Sequence, residues 1–116
     1  MDDEPDLLET CVRLLRQAGH FCLTAPGARE AISLIDTERP DLVVTDLRLP
    51  TMDGLAVVRH ARRASPPVPV IVTTAYTSPE AKREARRTGA TIFLPKPFGA
   101  AEFMDAVNRA LGASAV

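Results

Sequence analysis

Cysteine is scarce in this chain: Cys11 and Cys22 are its only two. They are too few and too widely spaced for a zinc site or a CxxC redox pair. Each falls in an apolar stretch and reads as a small buried hydrophobe. No apolar run approaches the ~18 residues of a membrane span, and no basic-then-apolar leader opens the sequence. Charge of one sign is not in surplus. Fourteen Lys+Arg stand against fifteen Asp+Glu, a net charge of −1, so nothing electrostatic argues for nucleic-acid binding. Linkers, internal repeats and low-complexity tracts are absent too. What is present is an apolar fraction of 46% and a charged fraction of 25% over 116 residues. Those are the proportions of a soluble domain with its own core. The expectation is one cytoplasmic domain spanning residues 1–116.

The apolar pattern alternates between two periods. Leu7, Leu8, Cys11, Val12, Leu15 and Ala18 recur at helical spacing after Pro5, and Gly19 stops them. The segment His20–Thr24 predicts a short strand. Ala28, Ala31, Ile32 and Ile35 form a second helical stripe, closed before Pro40. Leu42–Thr45 predicts a strand buried on both faces. Residues 46–54 are loop-like, with Pro50 and Gly54 as breaks. Leu55, Val58 and Ala61 mark a third helix. Val68–Thr74 predicts a second buried strand, with Pro69 near its start, where a missing donor is tolerated. Ser78 and Pro79 open a fourth helix, which carries Lys82, Arg83, Arg86 and Arg87 and ends at Gly89. Thr91–Leu94 predicts another strand. Phe103, Ala106, Val107, Ala110 and Leu111 line a last helix. Such alternation predicts an α/β parallel sheet covered by helices on both faces.

In an open parallel sheet, ligands bind beyond the carboxyl ends of the strands. Asp46 follows the Leu42 strand, Thr73, Thr74 and Ala75 close the Val68 strand, and Lys96 follows the Thr91 strand. Asp2 and Asp3 precede the first helix, where an earlier strand would end. Three carboxylates, a hydroxyl and an ammonium thus converge on one edge. Like charges in one cleft call for a cation, and hard carboxylate oxygens suit Mg²⁺ beside phosphate. A strand-end carboxylate can act as a nucleophile towards phosphorus. Lys96 and Mg²⁺ would neutralise the transferring group.

Asp2-Asp3-Glu4-Pro5, Thr45-Asp46-Leu47-Arg48-Leu49-Pro50, Met52-Asp53-Gly54, Thr74-Ala75 and Lys96-Pro97-Phe98 together resemble the receiver domain of bacterial two-component response regulators. The resemblance covers nearly the whole chain. It implies a flavodoxin-like three-layer sandwich and a cytoplasmic switch that assists its own phosphorylation and dephosphorylation rather than a metabolic enzyme. By resemblance, Asp46 is the phosphoacceptor and Lys96 the phosphate-binding lysine. Thr74 is the hydroxyl that turns to the phosphoryl group, and Phe93 the aromatic that follows it inward. Mg²⁺ would be held by Asp46, by Asp3, by the backbone carbonyl of Arg48 and, through water, by Asp2. The bond after Lys96 is expected to be cis. The implied partner is a sensor histidine kinase or phosphotransfer protein. A homodimer and an attached output domain are further implied partners; nucleic acid and membrane are not.

The sequence departs from the family in one respect. The family has an apolar strand immediately before the acidic pair, at the centre of a sheet ordered 2-1-3-4-5, and here only Met1 precedes Asp2. Four strands are therefore expected, with the first strand of the family missing. The edges of His20–Thr24 and Leu42–Thr45 are expected to be exposed, to pair directly, or to be covered by another chain. An upstream segment in the natural protein is the expected explanation. The alternative reading is a receiver-like interaction or dimerisation module that takes no phosphoryl group. An aspartate-nucleophile phosphatase is disfavoured, because Arg48 stands where such enzymes carry a second carboxylate.

Overall fold

The computed structural model describes residues 5–46, 53–75 and 78–114. Its elements run α1 (Pro5–Gln17), α2 (Ala28–Glu38), β1 (Val43–Asp46), α3 (Asp53–Arg63), β2 (Val70–Thr74), α4 (Pro79–Thr88), β3 (Ile92–Pro95) and α5 (Ala100–Ser114). The three strands are parallel and ordered β1-β2-β3. Short β-branched runs with no polar alternation form strands covered on both sides, and β2 is buried at all five positions.

The register divides the side chains between two cores. Val44, Ile71, Ile92 and Leu94 pack with Phe103, Ala106, Val107 and Ala110 of α5 and with Leu14 and Leu15 of α1. Val43, Val70, Val72 and Phe93 pack on the other side. Their partners are Ala31 and Ile35 of α2, Leu55 and Val58 of α3, and Ala85 of α4. Side chains alternate along a strand. Asp46 and Thr73 therefore project on the α1/α5 side, and Thr45 and Thr74 on the α2–α4 side.

Two helices, α1 and α4, end at glycines. Gly19 has φ 92°, its N–H reaches Arg16 O, and His20 N–H reaches Leu15 O. Gly89 has φ 116° and repeats the arrangement, with Gly89 N–H to Arg86 O and Ala90 N–H to Ala85 O. Both are Schellman ends, which satisfy the last carbonyls of a helix through one left-handed residue. At the start of α4, the Ser78 carbonyl accepts from Lys82 N–H. The α5 start is closed by Gly99 N–H donating to Glu102 Oε1 at 3.0 Å, half of a capping box.

One expected element does not form. Residues 20–24 are irregular, so the described residues hold three strands and not four. Phe21 is 89% exposed and Leu23 45%. A short apolar run becomes a strand only beside a neighbour that takes its backbone bonds. Here an apolar groove of about 580 Å³ is bounded by this segment on one side and β1 on the other, with Leu34, Ile35 and Leu111 also lining it.

Candidate functional site

Asp46 ends β1 and is 3% exposed. Lys96 follows β3 directly, and its Nζ lies 3.2 Å from Asp46 Oδ1. The two side chains are 4% and 9% exposed, so the pair is screened little by water. The lysine is held by its backbone. Lys96 N–H donates to Thr74 O at 2.7 Å, and the Lys96–Pro97 bond is cis, as expected. One residue further on, Phe98 stacks on the buried Phe103 of α5, with ring centroids 5.7 Å apart and planes 17° apart. The turn after Lys96 is thereby anchored to the core.

Thr74 closes β2 and is fully buried. Phe93 is opposite Val72 in the register, on the same side of the sheet as Thr74, and packs half-buried against the α2–α4 core. The positions expected to couple the site to the α4 surface thus share one face. Asp46 and Lys96 meet on the other.

The expected metal-binding positions are divided. Asp46 is in place, whereas Asp2, Asp3 and Arg48 lie outside the described residues. Among the described residues, no group of three His, Cys, Asp or Glu side chains is arranged to hold a metal. Asp46 offers the type of hard, buried oxygen donor that Mg²⁺ takes.

Two buried hydroxyls stand outside the expected site roles: Thr73, which the sequence places at the strand end beside Thr74, and Thr45, which it does not single out. Thr45 Oγ1 and Thr73 Oγ1 have no hydrogen-bond partner. Thr73 stands opposite Asp46 in the register. The sequence shows that Thr73 neighbours Thr74, but only the register shows which of the two shares the face of Asp46. The parity of β2 is the one signal that could have suggested it.

A buried carboxylate and lysine meet at the carboxyl ends of a parallel α/β sheet, with a threonine beside them, as the resemblance to receiver domains leads one to expect. Comparison with known proteins agrees. The chain belongs to the response regulator receiver domain family, whose model matches residues 1–108. It is 35% identical over 111 residues to the DNA-binding transcriptional regulator NtrC of Klebsiella pneumoniae, covering 96% of this chain and 24% of that protein. The chain thus spans about a quarter of the length of such relatives. Among solved structures, the receiver domain of NtrX from Brucella abortus is 33% identical with a TM-score of 0.85. The match covers 96% of this chain and 94% of that one. The Vibrio cholerae chemotaxis protein CheY4 is 32% identical with a TM-score of 0.84, covering 94% and 92%. The fold is flavodoxin-like, and the protein is a two-component signalling module.

Proposed function

We propose that Asp46 accepts a phosphoryl group from the phosphohistidine of a partner sensor kinase or phosphotransfer protein. The buried Asp46–Lys96 contact carries this reading. An Asp46 carboxylate oxygen attacks phosphorus. A P–O bond forms as the P–N bond to the donor histidine breaks, and the bonding electrons leave with the imidazole nitrogen. The Lys96 ammonium balances charge on the equatorial oxygens. The Thr74 hydroxyl donates to one of them, and its inward turn leaves room for Phe93 to follow. Asp46, Asp3 and the Arg48 carbonyl, with Asp2 through water, would hold Mg²⁺. Bound there, the ion supplies the remaining neutralisation of the phosphoryl oxygens. Water attacking the same phosphorus breaks the P–O bond to Asp46, releases inorganic phosphate with the water's proton, and returns the carboxylate, so the chain works as a switch and not as a metabolic enzyme.

The cell interior is the compartment this reading requires. An output domain and a homodimer are the partners it suggests for the switched surface. The NtrC relatives are DNA-binding transcriptional regulators, which supports an output of that class. Incubation with acetyl phosphate and Mg²⁺ should add one phosphoryl mass to the intact chain, and Asp46→Asn should add none. An equal gain in Asp46→Asn moves the acceptor elsewhere. The second reading is an interaction module that takes no phosphoryl group. The exposed Phe21 and Leu23 beside an apolar groove favour it, and a wild-type chain with no mass gain would select it.

A further inference from the structure

Lys96 Nζ reaches 3.2 Å from Asp46 Oδ1. A long side chain arrives at a fixed point only if its Cβ leaves the backbone in a fixed direction. One end of that geometry is held by the sheet. The bond from Lys96 N–H to Thr74 O, 2.7 Å long, orients the peptide plane between Pro95 and Lys96. It leaves the φ torsion of Lys96 open. Rotation about N–Cα swings Cβ and the carbonyl carbon together, so whatever fixes the carbonyl side also aims the side chain.

The next residue, Pro97, is exposed and has no N–H to give. The first side chain after Lys96 to enter the core is that of Phe98. Its ring stacks on Phe103 of α5, with centroids 5.7 Å apart and planes 17° apart. Phe103 is fully buried, so it is a firm stop. Its N–H also takes the carbonyl of Gly99 at 3.0 Å, and one residue of α5 thereby holds both the ring and the chain that follows. The link from Phe98 back to Lys96 is stiff. Both intervening peptide units are planar and the proline φ is locked. Only ψ of Lys96 and ψ of Pro97 stay soft between the two Cα atoms.

We propose that Phe98, seated on Phe103, is a positioning residue of this site: the stack sets the backbone of Lys96 so that its ammonium meets Asp46. Phe98 acts through the lysine and not on the reacting atoms. The aim of the ammonium at the carboxylate is independent of any phosphoryl chemistry. Its use in capturing a phosphoryl group rests on Asp46 being the phosphoacceptor. A side chain delivered in advance to the place where charge develops loses little freedom when that charge appears.

The test is the energetic coupling between Lys96→Met and Asp46→Asn, read by urea unfolding in EDTA in three backgrounds: wild type, Phe98→Ala and Phe98→Tyr. In Phe98→Ala the coupling should fall to about half its wild-type value or less. Phe98→Tyr, which keeps the ring, should retain it. A merely structural role would lower every midpoint and leave the coupling unchanged, and that result overturns the proposal. Equal loss of coupling in the Ala and Tyr backgrounds overturns it too, as does a wild-type chain with no coupling. If Phe98→Ala does not unfold cooperatively, Phe98→Leu takes its place and is read the same way. A second measurement titrates beryllofluoride, a phosphoryl analogue, with Mg²⁺ present. Phe98→Ala should bind about three- to ten-fold more weakly than wild type, and Phe98→Tyr within about two-fold of it. Equal binding by wild type and Phe98→Ala overturns the proposal. A wild-type chain that binds no beryllofluoride removes the phosphoacceptor reading, and the coupling alone then decides whether Phe98 aims the lysine.

Discussion

Lys96 Nζ approaches Asp46 Oδ1 to 3.2 Å with both side chains sealed from bulk water. Two charges so placed are individually expensive and mutually dependent. Replacing Lys96 by Met takes the ammonium from a buried carboxylate and should cost roughly 2–5 kcal/mol. Adding Asp46→Asn to Lys96→Met should recover much of that loss. Urea unfolding of the two single variants and the double variant, in EDTA, gives the coupling directly. Purely additive costs would mean that the contact carries no energy.

Thr45 supplies a contrast. Its orphan hydroxyl shares a rung with Val72 and Phe93 on the apolar α2–α4 side. Thr45→Val replaces an unpaired hydroxyl by a methyl of equal size and should raise stability by about 1–2 kcal/mol. A lower midpoint in that variant would show that the hydroxyl has a partner in solution.

The two positive-φ glycines should not respond alike to alanine. At Gly19, with φ 92°, a Cβ meets nothing within 4 Å. At Gly89, with φ 116°, it meets Arg62 Cγ at 2.9 Å. Gly19→Ala should cost only the left-handed penalty of ~1–2 kcal/mol, and Gly89→Ala more. Shortening the neighbour, in Arg62→Ala/Gly89→Ala, should bring the second cost down to the first. Thermal midpoints of the three variants, set against wild type and Arg62→Ala, check the order.

Thr74 is proposed to act after phosphoryl transfer and not during acceptance. Thr74→Ala should still gain one phosphoryl mass from acetyl phosphate. Amide exchange of α4 (Pro79–Thr88) should then no longer change between the free and phosphorylated forms. The same exchange response in wild type and variant would rule out Thr74 as the coupling residue.

Phe21 stands 89% exposed at the rim of the groove. Such a side chain contributes almost nothing to folding and much to self-association. Phe21→Ser should leave the midpoint within about 0.5 kcal/mol of wild type and shift sedimentation towards the monomer at high concentration. Unchanged sedimentation would show that the rim is not a sticking surface.

Features encoded within one turn of chain could be read from sequence. Gly19 and Gly89 end α1 and α4 as expected, and Pro79 opens α4. The meeting of Asp46 and Lys96, fifty residues apart, is legible for another reason: each stands at the carboxyl end of a strand of one parallel sheet. Features that depend on what lies alongside could not. The apolar segment 20–24 has strand composition but no strand conformation, because pairing belongs to a neighbour and not to the segment. The facing of Thr73 and Thr74 needed the register. Nor did any local pattern indicate that His60 Nε2 of α3 would meet Asp36 Oδ1 of α2 at 2.7 Å.

The bond from Lys96 N–H to Thr74 O has a mechanical consequence. It is a rung of the ladder beyond the last residue of β3, and it ties the main chain of the lysine to that of the threonine. Neither backbone shifts without dragging the other, so an independent reply at either position must come from its side-chain torsions. Lys96 behaves as a rotor on a fixed mount, and Thr74 as a second rotor on the same mount. Any force large enough to displace the lysine main chain is delivered to the end of β2, four residues in sequence before Ser78 receives the first turn of α4.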